Sequence, residues 1–192
     1  MSELLKHYPS FHIYLAGPID FLNDRGVGWR KELTKKLMDI GLTKNMILDP
    51  TDKPVTYDGY KDFDTEKEHY YNLRRHGHWD ELQKMCQMTM HVDLRFVDKS
   101  DVIFAVLNPN VPMFGTIHEI VVARQQKKPV LIVDPRGREG TSIWAIGLVG
   151  YKNIFKTTDE AVDYLNDLFN DKIAANSEEW LFLNFTNGNN DA

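Results

Sequence analysis

One carboxyl group in the sequence lies where a nucleophile could be placed. Gly115 permits a tight turn, Thr116 is expected to open a helix, and Glu119 then falls in the first turn of that helix. The positive end of a helix dipole favours an ionised carboxylate by about 0.3–1 kcal/mol. Because a carboxylate nucleophile must be ionised at neutral pH, Glu119 is our first candidate for a catalytic residue.

The same residues also match patterns that carry no chemistry. Thr116-x-x-Glu119 is a capping box, in which the Glu side chain only satisfies a free backbone amide. Asp93 and Asp101 precede a buried strand, as cap or turn residues do, and Tyr14 lies inside a strand like a core aromatic. The local sequence leaves both interpretations open for each residue.

The elements that must position these residues alternate along the chain. Short apolar runs, each followed by Gly, Pro, Asn or Asp, predict buried strands at residues 11–16, 46–48, 102–107 and 129–133. Helical patterns predict helices at residues 29–40, 116–126 and 159–169, and residues 78–97 are expected to form a helix or a pair of helices. The alternation predicts an α/β fold with an open, mainly parallel, doubly wound sheet of the flavodoxin or Rossmann type and helices on both faces. Ligands of such sheets bind beyond the carboxyl ends of the strands.

A single domain is expected over residues 1–183. The 192 residues, 42% hydrophobic and 27% charged, are enough for one sizeable core. Residues 51–77 carry six acidic residues and five Tyr or Phe without a clean period, which predicts a long excursion or lid beside the site. Residues 184–192 form a polar, Asn-rich tail that is expected to fray.

Charge and cysteine content exclude several classes of protein. Lys and Arg total 23 against 28 Asp and Glu, so the net charge of −5 does not suit a protein that binds a nucleic-acid polymer or an anionic membrane. The single cysteine, Cys86, excludes an internal disulfide and a cysteine-based zinc site. We therefore expect a cytoplasmic protein that acts on a small molecule and needs no metal or organic cofactor.

Three segments at predicted strand ends carry the candidate residues in a characteristic order. They are IYLAGPID, VDLRFVDKSDVIFAVLN and FGTIHEIVVARQQKKPVLIV. Over residues 11–133, apart from 51–90, these segments resemble the nucleoside 2-deoxyribosyltransferase family. The motifs that carry the resemblance are the AGP loop, Asp93-Leu94, Ser100-Asp101, Gly115-Thr116 with Glu119, and the Lys128-Pro129 turn. Cytokinin-activating phosphoribohydrolases also place Gly-Thr-x-x-Glu at this helix, so the substrate remains open.

The resemblance implies roles for three residues. Glu119 would attack the anomeric carbon of a 2-deoxyribosyl group, Asp93 would handle the proton of the departing base, and Tyr14 would orient Glu119. It also implies that a nucleoside or nucleotide, and a free base, are bound by Gly17, Pro18, Asp20, Asn108, Met113, Gly115 and Thr116.

Met113 departs from the family pattern, since the transferases commonly place an Asp six residues before the nucleophile and the nucleotide hydrolases a Ser. Asn108 and Asn110 are the nearest residues that could hold the sugar instead. Two other functions therefore stay open: an N-glycosidase that hydrolyses nucleoside 5′-monophosphates, and a nucleotide-binding module without catalysis. Possible phosphate partners for the former are Arg25, Arg95, Arg136 and Arg138.

Two further expectations concern specificity and assembly. The aromatic residues of the excursion are expected to select the base; they are Tyr57, Tyr60, Phe63, Tyr70 and Tyr71. The alternative is that these rings only pack the excursion against the core. The resemblance implies a homo-oligomer in which C-terminal residues complete the neighbouring site. The apolar segment EEWLFLNF at residues 178–185 suits such an interface or a last element that packs on its own core.

Overall fold

A single open sheet organises the chain. The structure, a computed structural model, describes residue 5, residue 8, residues 10–53, residues 63–173 and residue 180. Within these residues five strands pair, all in parallel, in the order β2-β1-β3-β4-β5. The strands are β1 (Ile13–Ala16), β2 (Ile47–Leu48), β3 (Val102–Val106), β4 (Val130–Val133) and β5 (Ile154–Phe155). The predicted fold class, an open parallel α/β sheet, is confirmed.

Seven helices lie within the described residues. They are α1 (Val27–Asp39), α2 (Phe63–His76), α3 (Trp79–Lys99), α4 (Phe114–Gln125), α5 (Gly137–Gly140), α6 (Ile143–Val149) and α7 (Thr158–Phe169), with two short 3₁₀ helices at Lys44–Met46 and Tyr151–Asn153. None of the helices in this part of the chain is long and apolar enough to cross a membrane.

The two faces of the sheet are covered by different helices. Leu15 and Phe104 pack with residues of α1 and α7, whereas Tyr14 and Ile103 pack with residues of α3, α4 and α6. The division follows from the strand period of two, because neighbouring residues of a strand point to opposite faces. Tyr14 therefore points to the face on which α4 carries Glu119.

The strand order also determines where a ligand would bind. The chain leaves β1 toward β2 on one side and returns through α2 and α3 to β3 on the other side of β1. Such a reversal opens a crevice at the carboxyl ends of the two strands, which are β1 and β3 here. The loop after β1, the end of β2 and the start of α4 all meet this edge.

One strand and three helices of the structure were not predicted from the sequence. Residues 63–76 of the expected excursion form the regular helix α2, whose acidic first turn and basic last turn suit the helix dipole. Residues 54–62 lie outside the described residues, as does the polar tail 184–192. The elements β5, α5 and α6 could not be predicted from the sequence, because strands of two residues and helices of four to seven residues are too short to show a period.

The start of the apolar C-terminal segment packs on the chain's own core. Trp180 is fully buried, and its ring lies 6.2 Å from the ring of Tyr164 on α7. The other residues of the segment, 178–179 and 181–185, lie outside the described residues. For Trp180, packing within its own subunit is therefore the correct interpretation.

Candidate active site

Tyr14 and Glu119 form the centre of the site. The Tyr14 side chain is fully buried on β1, and its hydroxyl donates a hydrogen bond of 2.7 Å to Glu119 Oε1. Burial raises the pKa of Glu119 to about 7, although the hydrogen bond from Tyr14 favours the ionised form. The negative charge of Asp93 adds to the rise. Near neutral pH, Glu119 is therefore balanced between its acid and its carboxylate.

The position of Glu119 on α4 differs from the prediction. The helix begins at Phe114, its N-cap is Met113, and the cap makes no side-chain hydrogen bond. Thr116 thus lies inside the helix, and Glu119 is in the second turn rather than the first. The capping-box interpretation is wrong for this reason, and the helix dipole, which acts within the first turn, is not what keeps Glu119 ionised. Among its neighbours, the hydrogen bond from Tyr14 contributes most to favouring the ionised form, followed by the charges of Arg30 and Lys53.

Asp93 projects from α3 toward the same centre. Burial raises the pKa of Asp93, and the charge of Lys53 opposes the rise. The Lys53 ammonium nitrogen lies 2.7 Å from Asp93 Oδ1. After burial, the charges of Glu119 and then Asp93 contribute most to raising the pKa of Tyr14 well above its usual value, so the three predicted catalytic residues share one electrostatic environment.

The loop after β1 is held from below by a buried arginine. Arg30 of α1 is fully buried and donates hydrogen bonds to the carbonyl oxygens of Leu15 (3.3 Å), Gly17 (2.8 Å) and Gly26 (3.0 Å). A Cβ at Gly17 would lie 2.5 Å from the ring of Trp29, so only glycine fits there. The sequence reading overlooked Arg30, although a charged residue within the apolar helical pattern of α1 was a usable signal.

The loop between β3 and α4, together with the first turn of α4, carries four of the predicted binding residues. Asn108 donates its backbone N–H to Met113 Sδ at 3.1 Å, so Met113 helps to shape the loop. The Asn108 amide oxygen accepts a hydrogen bond from the N–H of Asn110. Thr116 is buried, whereas a Cβ built at Gly115 would meet no atom within 4 Å. Gly115 therefore borders open space at the start of the helix that carries Glu119.

The remaining binding residues flank the loop after β1. Pro18 is buried, and Asp20 is exposed in the following turn. The charge of Asp20 acts on Lys67 and Tyr71 of α2. This side of the crevice thus combines groups of both signs.

Three of the four arginines proposed for phosphate already have protein partners. Arg136 binds both oxygens of Asp134, at 3.0 and 2.7 Å, and Arg138 donates to the carbonyl oxygen of Ile154. Arg25 donates to the carbonyl oxygen of Asp64 at 2.8 Å. Asp101 likewise has a structural role, because its side chain accepts hydrogen bonds from His12 N and the Tyr8 hydroxyl.

The aromatic residues of α2 differ in their surroundings. Tyr70 is buried and contacts Glu66 and Thr89 through its hydroxyl at 2.8 and 2.5 Å, so it packs α2 against α3. The Tyr71 ring lies 5.5 Å from the Arg25 guanidinium and is partly exposed. Tyr57, Tyr60 and the side chain of Phe63 lie outside the described residues.

Comparison with known proteins adds independent findings. Residues 13–153 match the family model described as nucleoside 2-deoxyribosyltransferase. No curated protein matches the sequence.

Two solved structures share the fold. The 2-deoxyribosyltransferase from the psychrotolerant bacterium Bacillus psychrosaccharolyticus is 19% identical, with a TM-score of 0.54 over 80% of this chain and 91% of that one. A conserved protein from Enterococcus faecalis V583 is 16% identical, with a TM-score of 0.50 over 85% and 99% of the two chains. These findings agree with the fold and with the charged centre between β1, α3 and α4. Because the family match covers more than half of the sequence, the chain belongs to the nucleoside 2-deoxyribosyltransferase family.

Proposed function

We propose that the protein transfers a 2-deoxyribosyl group from one nucleobase to another through a covalent intermediate on Glu119. The observation that carries this proposal is the hydrogen bond from the buried Tyr14 hydroxyl to Glu119 Oε1. One oxygen of Glu119 is thereby oriented, while the pKa of about 7 leaves a large fraction of the side chain ionised at neutral pH. Cleavage of an N-glycosidic bond develops positive charge on the sugar, which such a carboxylate can stabilise and then trap.

The reaction follows in two displacements. An oxygen of Glu119 forms a bond to the anomeric carbon, and the electron pair of the carbon–nitrogen bond leaves with the first base. A second base then attacks the same carbon and displaces Glu119. Since each displacement inverts the carbon, the product keeps the original configuration. Asp93, in the same electrostatic environment, serves the proton transfers of both steps.

An exchange assay tests the proposal directly. The protein is incubated with a 2-deoxynucleoside and a different free base, and chromatography measures the products. We expect a new deoxynucleoside that contains the second base. If the common deoxynucleosides yield neither exchange nor base release, the proposed function is wrong.

The same assay distinguishes transfer between bases from the hydrolysis of nucleoside monophosphates. Because Arg25, Arg136 and Arg138 already contact protein groups, we expect the 5′-monophosphate to be no better a substrate than the nucleoside. A strong preference for the monophosphate, with release of base but no exchange, would assign the N-glycosidase function instead.

We also infer that the protein assembles as a homo-oligomer. Large apolar side chains are almost fully exposed on α4 and α6, two helices that pack against each other: Phe114 is 93% exposed, Ile143 87% and Trp144 81%. A second subunit that covered them would remove this apolar surface from water. Light scattering at micromolar concentration should show a species larger than a monomer, and the double variant Ile143→Glu, Trp144→Glu should shift it toward the monomer. A monomeric wild-type protein would contradict the inference.

A further inference from the structure

Lys53 is a charged residue of the site that the sequence reading did not identify. It lies five residues beyond the end of β2, at the same edge of the sheet as the crevice. Its ammonium nitrogen is 2.7 Å from Asp93 Oδ1, and the two side chains are only 10% and 16% exposed. Ion pairs on the surface contribute little, but a pair so far withdrawn from water forms a strong, charge-assisted contact.

This contact changes what Asp93 can do by itself. A general acid must carry a proton when the carbon–nitrogen bond breaks. The positive charge of Lys53 favours the carboxylate form of Asp93 and opposes the effect of burial. In the paired state the available proton is therefore on the nitrogen of Lys53, while Asp93 offers an oxygen that can accept a proton and pass it on.

We propose that Lys53 and Asp93 form a proton-transfer pair, in which the ammonium group of Lys53 supplies, through Asp93, the proton that the departing base takes up. This inference rests on the proposed function. A proton first moves from Lys53 to Asp93, which gives a neutral amine and a carboxylic acid. As the carbon–nitrogen bond breaks, its electron pair goes to the base nitrogen, and the proton on Asp93 moves to that nitrogen. The pair is left as a neutral amine and a carboxylate, with one proton fewer than at the start.

The incoming base restores the pair. Its ring N–H gives a proton to Asp93 and, through it, to Lys53, while the ring nitrogen attacks the anomeric carbon and Glu119 leaves as a carboxylate. One proton thus leaves the pair in the first displacement and returns in the second. The exchange needs no further reactant.

Other charged groups around the pair are arranged to support this role. Lys67 of α2 and Arg30 of α1 both act on the charge of Asp93. Burial, and after it the positive charge of Lys53, lowers the pKa of Lys67, so the two ammonium groups lie close enough to repel each other. Glu119 and Tyr14 face Asp93 from α4 and β1.

The test compares two leaving groups in two variants. Lys53→Arg keeps a positive charge beside Asp93 but introduces a guanidinium, which does not release a proton near neutral pH, and Lys53→Met removes the charge. The substrates are the best deoxynucleoside found for the wild type and 4-nitrophenyl 2-deoxyriboside, whose leaving group departs as a stable anion without a proton. Lys44→Met is the matched control, because Lys44 also lies 2.7 Å from a carboxylate, that of Asp52, but the pair is 50% and 63% exposed.

We expect both Lys53 variants to slow release of the natural base by about 10²–10⁴-fold, the usual contribution of acid catalysis. Nitrophenolate release should stay close to the wild-type rate, and Lys44→Met should change neither reaction. Wild-type base release in Lys53→Arg would show that only the charge matters and would overturn the proposal. An equal loss of rate with both substrates would also overturn the proposal, because the substitution would then act through Glu119 or through the fold and not through proton transfer to the base. If the wild type acts on neither substrate, the proposed function itself fails, a result that differs from both of these.

Discussion

Glu119 and Asp134 are two buried or half-buried carboxyl groups near the same edge of the sheet, and their surroundings are opposite. Asp134, directly after β4, accepts hydrogen bonds from the backbone N–H and the guanidinium of Arg136 and from the hydroxyl of Thr141. Although burial raises the pKa of Asp134, these hydrogen bonds outweigh it and lower the pKa below its usual value. From the described residues Glu119 accepts one hydrogen bond, that of Tyr14, and burial raises its pKa to about 7.

The difference shows how a fold separates structural from reactive carboxylates. The oxygens of Asp134 are engaged by several donors, so its charge is stable and has little capacity left for a ligand. Glu119 has one donor among the residues that the structure describes, so its other oxygen is available to a substrate, and its charge is less stable. Burial is common to both groups, and the number of donors decides which of them can react.

Glu119→Gln should have the largest effect. Loss of the nucleophile is expected to reduce turnover by about 10³-fold or more. Steady-state kinetics of the exchange reaction measure the loss, and Asp134→Asn is the matched control, whose folded fraction should retain its turnover. A Glu119→Gln protein that keeps its activity would mean that Glu119 serves only the fold.

Asp134→Asn should instead reduce stability. The variant weakens charge-assisted hydrogen bonds to Arg136 and Thr141, which predicts a loss of about 2–3 kcal/mol in the free energy of unfolding. Because the pKa of Asp134 is lowered in the folded state, its contribution is present above the unfolded pKa and is lost as the pH falls through the folded one. Urea unfolding of both proteins at pH 7 and at pH 3 measures this. If the two proteins differed equally in the free energy of unfolding at both pH values, the lowered pKa of Asp134 in the folded state would be contradicted.

Tyr14→Phe should shift the pH dependence of the reaction. The wild-type rate is expected to rise with pH through about 7 as Glu119 ionises. The hydrogen bond from Tyr14 stabilises the ionised form, so its removal should move this rise to higher pH and lower kcat/KM at pH 6 by about 10-fold, with a smaller loss at pH 9. Tyr70→Phe is the control, since its hydroxyl contacts Glu66 and Thr89 instead. If the pH profile of Tyr14→Phe were the same as that of the wild type, Tyr14 would not control the ionisation of Glu119.

The smallest predicted effect distinguishes the two glycines at this edge. A Cβ at Gly115 meets open space, so Gly115→Ala should change the free energy of unfolding by less than about 1 kcal/mol and raise the KM for the nucleoside if substrate occupies that space. A Cβ at Gly17 would collide with Trp29, so Gly17→Ala should lower stability. Thermal melting and substrate titration separate the two. An unchanged KM in Gly115→Ala would remove Gly115 from the proposed binding surface.

Much of the fold and the centre of the site could be predicted from the sequence. The apolar runs of β1, β3 and β4 and the helical spacing of α1, α4 and α7 are local patterns, and their alternation dictates a parallel sheet. Parallel strands bring their carboxyl ends to one edge, so Tyr14 and Glu119, 105 residues apart, could be assigned to one site before any contact was known. The order of short motifs supported the same assignment.

Only the tertiary structure decided which charges meet and how many donors each receives. The ion pair of Lys53 with Asp93 joins a loop to a helix through a stretch without a clear period. The donors around Asp134 come from the ends of the short helix α5, and Arg30 binds carbonyl groups at the end of β1 and in the loop after it. The local motif also misplaced the start of α4, because Thr116 suits a cap position but is buried inside the helix. Periodicity records which face of an element is apolar, whereas the pKa and partners of a charged group depend on burial and on neighbours distant in sequence.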